Sequence, residues 1–287
     1  MDDRELLKVV MGIVGQKNCL DDCAELPCGD QAMVATTDML HQTTDFVPGM
    51  SDWQIGWMSA AVTLRDIASM GAAPKYLLIA VGLDRWEQLS GVMQGAKDCC
   101  TKYGTAIIGG DIDRHNELTV VTTGLGLVER EHIARRSGAH PGDLVCITGT
   151  PGQAQARLEG FLQHEKALFE PQPRVTEGQR LALGGITAMM DDSDGIALSL
   201  YDLVSVNDCG FALESSRLPL PAGVPDGQAR ELALYGGGDY ELIFTLPPER
   251  HPVKGVVYTV IGTVIPEKRV VVDGIPAERR GYQHRWG

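Results

Sequence analysis

The feature that most limits how this chain folds is a set of carboxylates set inside, or at the ends of, apolar segments. Asp38 closes the strand-like run "QAMVATTD", Asp66 lies in the nearly uncharged helix-like stretch "WQIGWMSAAVTLRDIASMGA", and Asp111 follows "TAIIGG". Asp21 and Asp22 interrupt "CLDDCAEL", and Asp191, Asp192 and Asp194 crowd "MMDDSDGIALSL". A buried carboxylate is unfavourable unless it meets a cation. Arg65 adjoins Asp66 and Arg114 is close to Asp111, but basic residues are sparse around most of these acids, so the expected partners are cations from solution. Hard oxygen donors without a His/Cys set point to magnesium.

Each acid also has a plainer reading. Asp22 or Asp38 alone would be a turn or strand-end residue, and Asp66 alone a local ion pair. At "DDSDG" an acid or serine before "IALSL" would cap a helix, but a cap needs one or two such groups, and three carboxylates repel. A calcium loop fails there, because counting back six from Gly195 puts Met190 at the first ligand position and Tyr201 at the twelfth.

Other classes fall away on composition and motif. The 287 residues are 44% hydrophobic and 22% charged, as in a globular chain with room for two domains. The formal charge of −13 argues against a nucleic-acid partner, yet leaves room for a nucleotide bridged by metal ions. The acidic start "MDDRELLKVV" lacks the basic region of a secretory leader, and runs such as "YLLIAVGL" are too short to span a bilayer; a cytoplasmic protein with no membrane partner is expected. The seven cysteines read as reduced thiols, and Cys19, Cys23 and Cys28 lack the spacing of a zinc set. There is no GxxxxGK[ST] loop, "GLGLVE" lacks the third glycine of a dinucleotide fingerprint, and "GGD" at 109–111 and "GGGDYEL" at 236–242 each suit a tight turn.

Strand-like and helix-like segments alternate along the chain. Strands are expected in "QAMVATTD", "KYLLIAVGL", "TAIIGGD", "LTVVTTGLGLV", "LVCITGTPG", "YELIFTL", "VVYTVIGTVI" and "KRVVVDG". Helices are expected in the stretch closed by Gly71, in "EQLSGVMQGAKDCCTKYG", and in "GIALSLYDLVSVND". The turn-rich "RSGAHPGD" divides two α+β halves, 1–142 and 143–287.

Taken in order, "DDCA", "TTDML", "DIASMGA", "IIGGD", "RSGAHPGD", "ITGTPG", "PQPR", "DDSDGI" and "GGGDYEL" resemble the thiamine-monophosphate kinase family, part of the superfamily that includes aminoimidazole ribonucleotide synthase. The resemblance runs from about residue 20 to residue 283. It implies an N-terminal α/β domain whose strands form a barrel across a homodimer, a C-terminal α+β domain, and ATP with several Mg2+ ions between them. The implied reaction moves the ATP γ-phosphoryl group onto thiamine monophosphate. By position, Asp22, Thr36, Thr37, Asp38, Asp66, Asp111, Asp191 and Asp194 match the metal-site residues, with Asp38, Asp66, Asp111 and Asp194 the catalytic set. Tyr103, Gly110, Arg136 and Ser193 match ATP contacts.

On the acceptor side the chain departs from the bacterial pattern: Asp45 stands where those members have His, Gly238 where they have Glu, Arg279 near their C-terminal aromatic, and "TLRD" at 63–66 where the family usually reads NLSD. A related kinase or synthase with another small phosphorylated acceptor, or a non-catalytic nucleotide-binding regulator, are the alternatives. Asp192 stands where the family usually has an apolar residue, and is expected to be exposed and dispensable.

Overall fold

The protein is described from a computed structural model covering residues 3–15 and 19–284; Met1 and Asp2 of the acidic start lie outside them. In chain order the elements are α1 (Asp3–Val14), β1 (Ala24–Cys28), β2 (Gln31–His41), α2 (Asp52–Ser69), β3 (Ala73–Leu83), α3 (Leu89–Lys102), β4 (Ala106–Arg114) and β5 (Thr119–Glu129). There follow β6 (Leu144–Thr148), α4 (Gln153–Leu158), α5 (Glu165–Phe169), α6 (Val175–Leu183), β7 (Ala188–Asp192), α7 (Ile196–Val206), β8 (Gly210–Leu213) and α8 (Asp226–Tyr235). The last strands are β9 (Glu241–Leu246), β10 (Tyr258–Ile265), β11 (Val270–Val272) and β12 (Ile275–Pro276).

The first five strands form one sheet in the order β1-β2-β5-β3-β4, in which only β3 and β4 run parallel, joined by the crossover helix α3. One face, with Val34, Leu77, Ile79, Val81 and Val120, is buried in a core shared with α2 and α3. The other face leaves Leu26, Met39, Tyr76 and Leu78 exposed. The remaining strands form a second sheet, β12-β11-β8-β10-β6-β9-β7. It is covered on both sides: Met190, Phe211 and Ile243 pack with α7, while Met189, Leu242 and Phe244 pack with Leu181 and Ala182 of α6.

Helix α2 joins the halves. A Ser51–Gln54 capping box starts it, and nearly all of its residues from Ile55 to Ser69 are buried. This explains its uncharged sequence, because a helix that is apolar all round is buried all round. It packs on α3 and the first sheet, and also on α6 and β7. Trp57 Nε1 donates to Pro171 O at 2.8 Å, tying it to the "PQPR" segment.

Three local readings change. The strand expected to end at Asp38 continues to His41, since β5 pairs with it through His41–Thr119. Gly109 and Gly110 form no turn but lie inside β4; Gly110 has φ 155°, and a Cβ there would fall 1.7 Å from Ile79 O. "AMMDD", where no strand was expected, is β7 and leads into α7 as the helix expected from "GIALSL" requires. Among the described residues, no helix is long and apolar enough to cross a membrane.

Candidate functional site

The site starts where α2 crosses β2. Residues three apart on the helix face residues two apart on the strand. Thr63 Oγ1 donates to Asp38 Oδ2 at 2.7 Å, and Thr36 Oγ1 donates to Asp66 Oδ2 at 2.8 Å. Thr37 turns to the opposite face, where its hydroxyl donates to Thr122 O at 3.0 Å.

Arginines occupy much of the place that the sequence reading assigned to ions from solution. Arg65 lies 2.9 Å from Asp66 Oδ1, 3.0 Å from Asp191 Oδ2 and 3.9 Å from Asp38 Oδ1, with its guanidinium 4.7 Å from the Tyr240 ring centroid. Arg136 donates to Asp22 Oδ1, its Nε at 2.8 Å, while its backbone N–H donates to Asp21. Arg4 of α1 bonds Asp194 Oδ2 at 3.0 Å and Asp202 Oδ1 at 2.8 Å. Basic residues looked sparse because Arg136 reaches Asp22 from 114 positions away.

Neutralisation is incomplete. Burial pushes the Asp22 carboxyl up to about 6 against the pull of Arg136. Burial also raises Asp38, against Arg65, and raises Asp66, with Asp38 adding to the rise. Burial works the same way on Asp191, but Arg65 and Arg136 together hold it below the ordinary value. Asp194 is raised by burial in spite of Arg4.

Asp192 corrects the expectation of an exposed acid. Only 1% exposed, it points from β7 to the face of Met190, toward α7, where Ser199 Oγ donates to its Oδ1 at 3.1 Å. Strand alternation sends Asp191 and Asp192 to opposite sides. Neither acid caps α7, whose first turn follows Gly195 at φ 97° with no side-chain cap; a Cβ on Gly195 would lie 2.9 Å from Tyr235 C.

The remaining expected residues sit around this centre. Tyr103 ends α3, its hydroxyl donating to Gln172 Oε1 at 3.1 Å. Gly110 lies in register with Ile79, Thr122 and Asp38 across the sheet, on the α2 side. Asp111, in register with Ala80, Val121 and Met39, lies on the open face about 14 Å from β2 at ordinary strand spacing. Its carboxylate accepts from Ile112 N at 2.9 Å, and the structure does not bring it to the Asp38 cluster. Gly238 N donates to Ser193 O at 2.8 Å, fastening "GGGDYEL" to the β7–α7 turn.

Asp45 accepts from His41 N at 2.8 Å in the turn after β2. Its charge reaches Tyr240, whose phenol burial raises, Arg65 lowers, and Asp38, Asp45 and Asp191 raise further. Arg279 lies with its guanidinium 5.9 Å from the Tyr201 ring centroid. The aromatic that reaches the turn is Tyr282, whose N–H donates to Asp194 O at 2.9 Å. Arg65, Tyr240 and Tyr282 are the neighbours missed by residue typing. Tyr240 stood in a quoted motif, Arg65 read as a local pair, and Tyr282 gave no local signal.

Magnesium suits the chemistry of these donors: carboxylate and hydroxyl oxygens, with Asp22 Oδ2 and Asp191 Oδ2 both buried and without an aligned hydrogen bond. Among the described residues no three His, Cys, Asp or Glu side chains form a ready metal-binding group, and the cysteines, Cys19, Cys23 and Cys28 included, are free. Arg65 stands between the carboxylates that would have to converge.

Residues 20–128, which carry Asp22, Asp38 and Asp66 of this carboxylate face, match the family "AIR synthase related protein, N-terminal domain". The chain is 47% identical over 288 residues to the thiamine-monophosphate kinase of Methanospirillum hungatei, covering 100% of both chains. It is 40% identical over 258 residues to that of Halobacterium salinarum, covering 87% of this chain and 86% of the relative. A solved structure, "AaThiL complexed with AMPPCP and TMP", superposes with a TM-score of 0.92 at 26% identity, covering 99% of this chain and 97% of that one. The chain belongs to the thiamine-monophosphate kinase family.

Proposed function

We propose that the chain transfers the γ-phosphoryl group of ATP to the phosphate of thiamine monophosphate, giving thiamine diphosphate and ADP. The observation that carries this reading is the convergence of Asp22, Asp38, Asp66 and Asp191, from four separate segments, on one largely buried face in which Asp22 Oδ2 takes no hydrogen bond. The full-length 47% identity to a thiamine-monophosphate kinase supports the acceptor.

Two phosphate-bearing reactants repel, and phosphoryl transfer needs in-line positioning and neutralised charge more than a side-chain nucleophile. The acceptor phosphate is already ionised at neutral pH, so no general base is required. Mg2+, when bound, would supply charge neutralisation across both phosphates. Asp22, Asp38, Asp66, Asp191 and Asp194 would hold it, with Thr36 positioning Asp66; Thr37 and Asp111, on the outer side of the first sheet, lie apart from this set. Tyr103, Gly110, Arg136 and Ser193 are assigned to ATP. Asp45, Gly238 and Arg279 are assigned to the acceptor, and Asp45 suits the cationic thiazolium ring.

The domains in this reading are 1–142 and 143–287. A homodimer would cover Leu26, Met39, Tyr76 and Leu78 on the open face of the first sheet, a face otherwise apolar and wet. The direct test is incubation of purified protein with magnesium, ATP and thiamine monophosphate, with nucleotides and thiamine species separated by chromatography. Equal amounts of ADP and thiamine diphosphate are expected. ADP formed only with another acceptor, or ATP bound without turnover on any acceptor, would overturn the proposal.

A further inference from the structure

Arg65 stands inside the carboxylate face rather than beside it. Its guanidinium spans Asp38, Asp66 and Asp191, carried on β2, α2 and β7, and Tyr240 of the "GGGDYEL" segment closes over its plane. The residue is 8% exposed, on a helix buried along most of its length, so it is no mobile surface arm. Two features set it apart from an ordinary structural ion pair. One delocalised cation serves three acids from separate segments. Charge is also left over: Asp191 Oδ2 is 3.0 Å from Arg65 Nε yet takes no aligned hydrogen bond.

A planar guanidinium holds several oxygens at once but leaves them spread around its edge, whereas a divalent ion draws oxygens inward to a point. That difference accounts for a crowded set of acids that nevertheless forms no ready metal-binding group among the described residues.

We propose that Arg65 is a built-in counterion holding the position a divalent cation would take between Asp38, Asp66 and Asp191, so that the face is preassembled without metal and takes up fewer or more weakly held ions. This rests on reading the acids as the metal-binding face of the kinase. Arg65 is then a positioning residue: it fixes the spacing of the acids and limits where ions enter. Incoming ions are left the free oxygen of Asp22 and the flank of Asp194, where Arg136 and Arg4 hold the outer edges.

The test is titration of the nucleotide-free full-length protein with Mn2+, read by electron spin resonance, alongside thermal melting with and without Mg2+. Arg65→Ser is expected to bind an additional Mn2+ ion, or the same number roughly ten- to a hundredfold more tightly, as removal of a positive charge a few ångströms from a divalent cation predicts. Its melting temperature should rise strongly with Mg2+, while that of the wild type responds little. Arg65→Lys, which keeps the charge, should stay close to the wild type in Mn2+ affinity.

Binding by Arg65→Ser no tighter than wild type would overturn the proposal, as would Arg65→Lys behaving like Arg65→Ser. If Arg65→Ser folds only when Mn2+ is present, a divalent ion has replaced the guanidinium and the proposal stands; failure to fold at any Mn2+ concentration counts against it. The comparison reads metal binding without either substrate. A missing thiamine diphosphate product therefore unseats the kinase reading, while an unchanged Mn2+ affinity unseats this one.

Discussion

Asp191 and Asp192 are adjacent on β7, both almost completely buried, and they face opposite sides of the sheet. On the α2 side Arg65 and Arg136 hold Asp191 below the ordinary carboxylate value, so it is charged. On the α7 side Asp192 is raised by burial and by Asp239, with a serine hydroxyl as its polar partner. The same side chain, moved one residue along a strand, is held charged by two arginines in one place and has its charge disfavoured by burial in the other. Burial alone therefore does not mark a functional acid. What separates the two regions is the presence of cations, because Asp192 Oδ2 is left without a hydrogen bond just as Asp191 Oδ2 is.

The largest expected effect breaks the ionised side. Asp38→Asn keeps the shape of the side chain and the Thr63 contact while removing a charge from the face that Arg65 organises. Turnover is expected to fall at least about a hundredfold through weakened metal binding, with the melting temperature changed little. Thiamine diphosphate formation at normal rate in this variant would remove Asp38 from the site.

Asp192→Leu tests the other side, and the expectation is the reverse of the one its sequence position suggested. The larger side chain would enter a packed layer and leave the Ser199 hydroxyl without its acceptor, destabilising the fold by about 1–3 kcal/mol. Activity per folded molecule should survive. A denaturant midpoint equal to that of the wild type would show that the pocket behind β7 is not packed as described, and lost activity in a stable protein would move Asp192 into the site.

Much of the first region was legible in the sequence, because a charged residue in the middle of an apolar strand or an all-round apolar helix has few physical explanations. Asp38, Asp66 and α2 stood out in this way. The cations did not. Arg136 lies far from Asp22 along the chain, and Arg65, next to Asp66, read as a local pair because nothing local shows that β2 and β7 also converge on it. Asp192 was misplaced for a simpler reason: it stood out only as the acid that the family resemblance leaves unused, and no strand is expected in "AMMDD", whereas in a strand period-two alternation alone separates Asp191 from Asp192. Glycine misled in the same manner at Gly109–Gly110, where the small residue serves the close approach of Ile79 rather than a turn.

The finest distinction between the two regions is a difference in pH response. Asp239 lies behind β7 with Asp192, its carboxyl accepting from Gly152 N and from Ala154 N, the latter at 2.8 Å. Burial pushes it up to about 7, with Glu241 adding to the rise and the two backbone N–H groups opposing it. In the unfolded chain this carboxyl loses its proton near its ordinary value of 3.8, whereas the folded chain keeps it until about 7. Across that window the folded state holds more protons, so this contribution to stability is full below the unfolded value and is lost as pH rises toward 7. Asp239→Asn cannot titrate and retains one of the two acceptors, at a loss of about 1 kcal/mol. Its stability should therefore fall less than that of the wild type between pH 4 and pH 7, measured as denaturant midpoints at several values in that range. Parallel curves for the two proteins would mean that Asp239 is ionised in the folded state, and the contrast between the two sides of β7 would then rest on Asp192 alone.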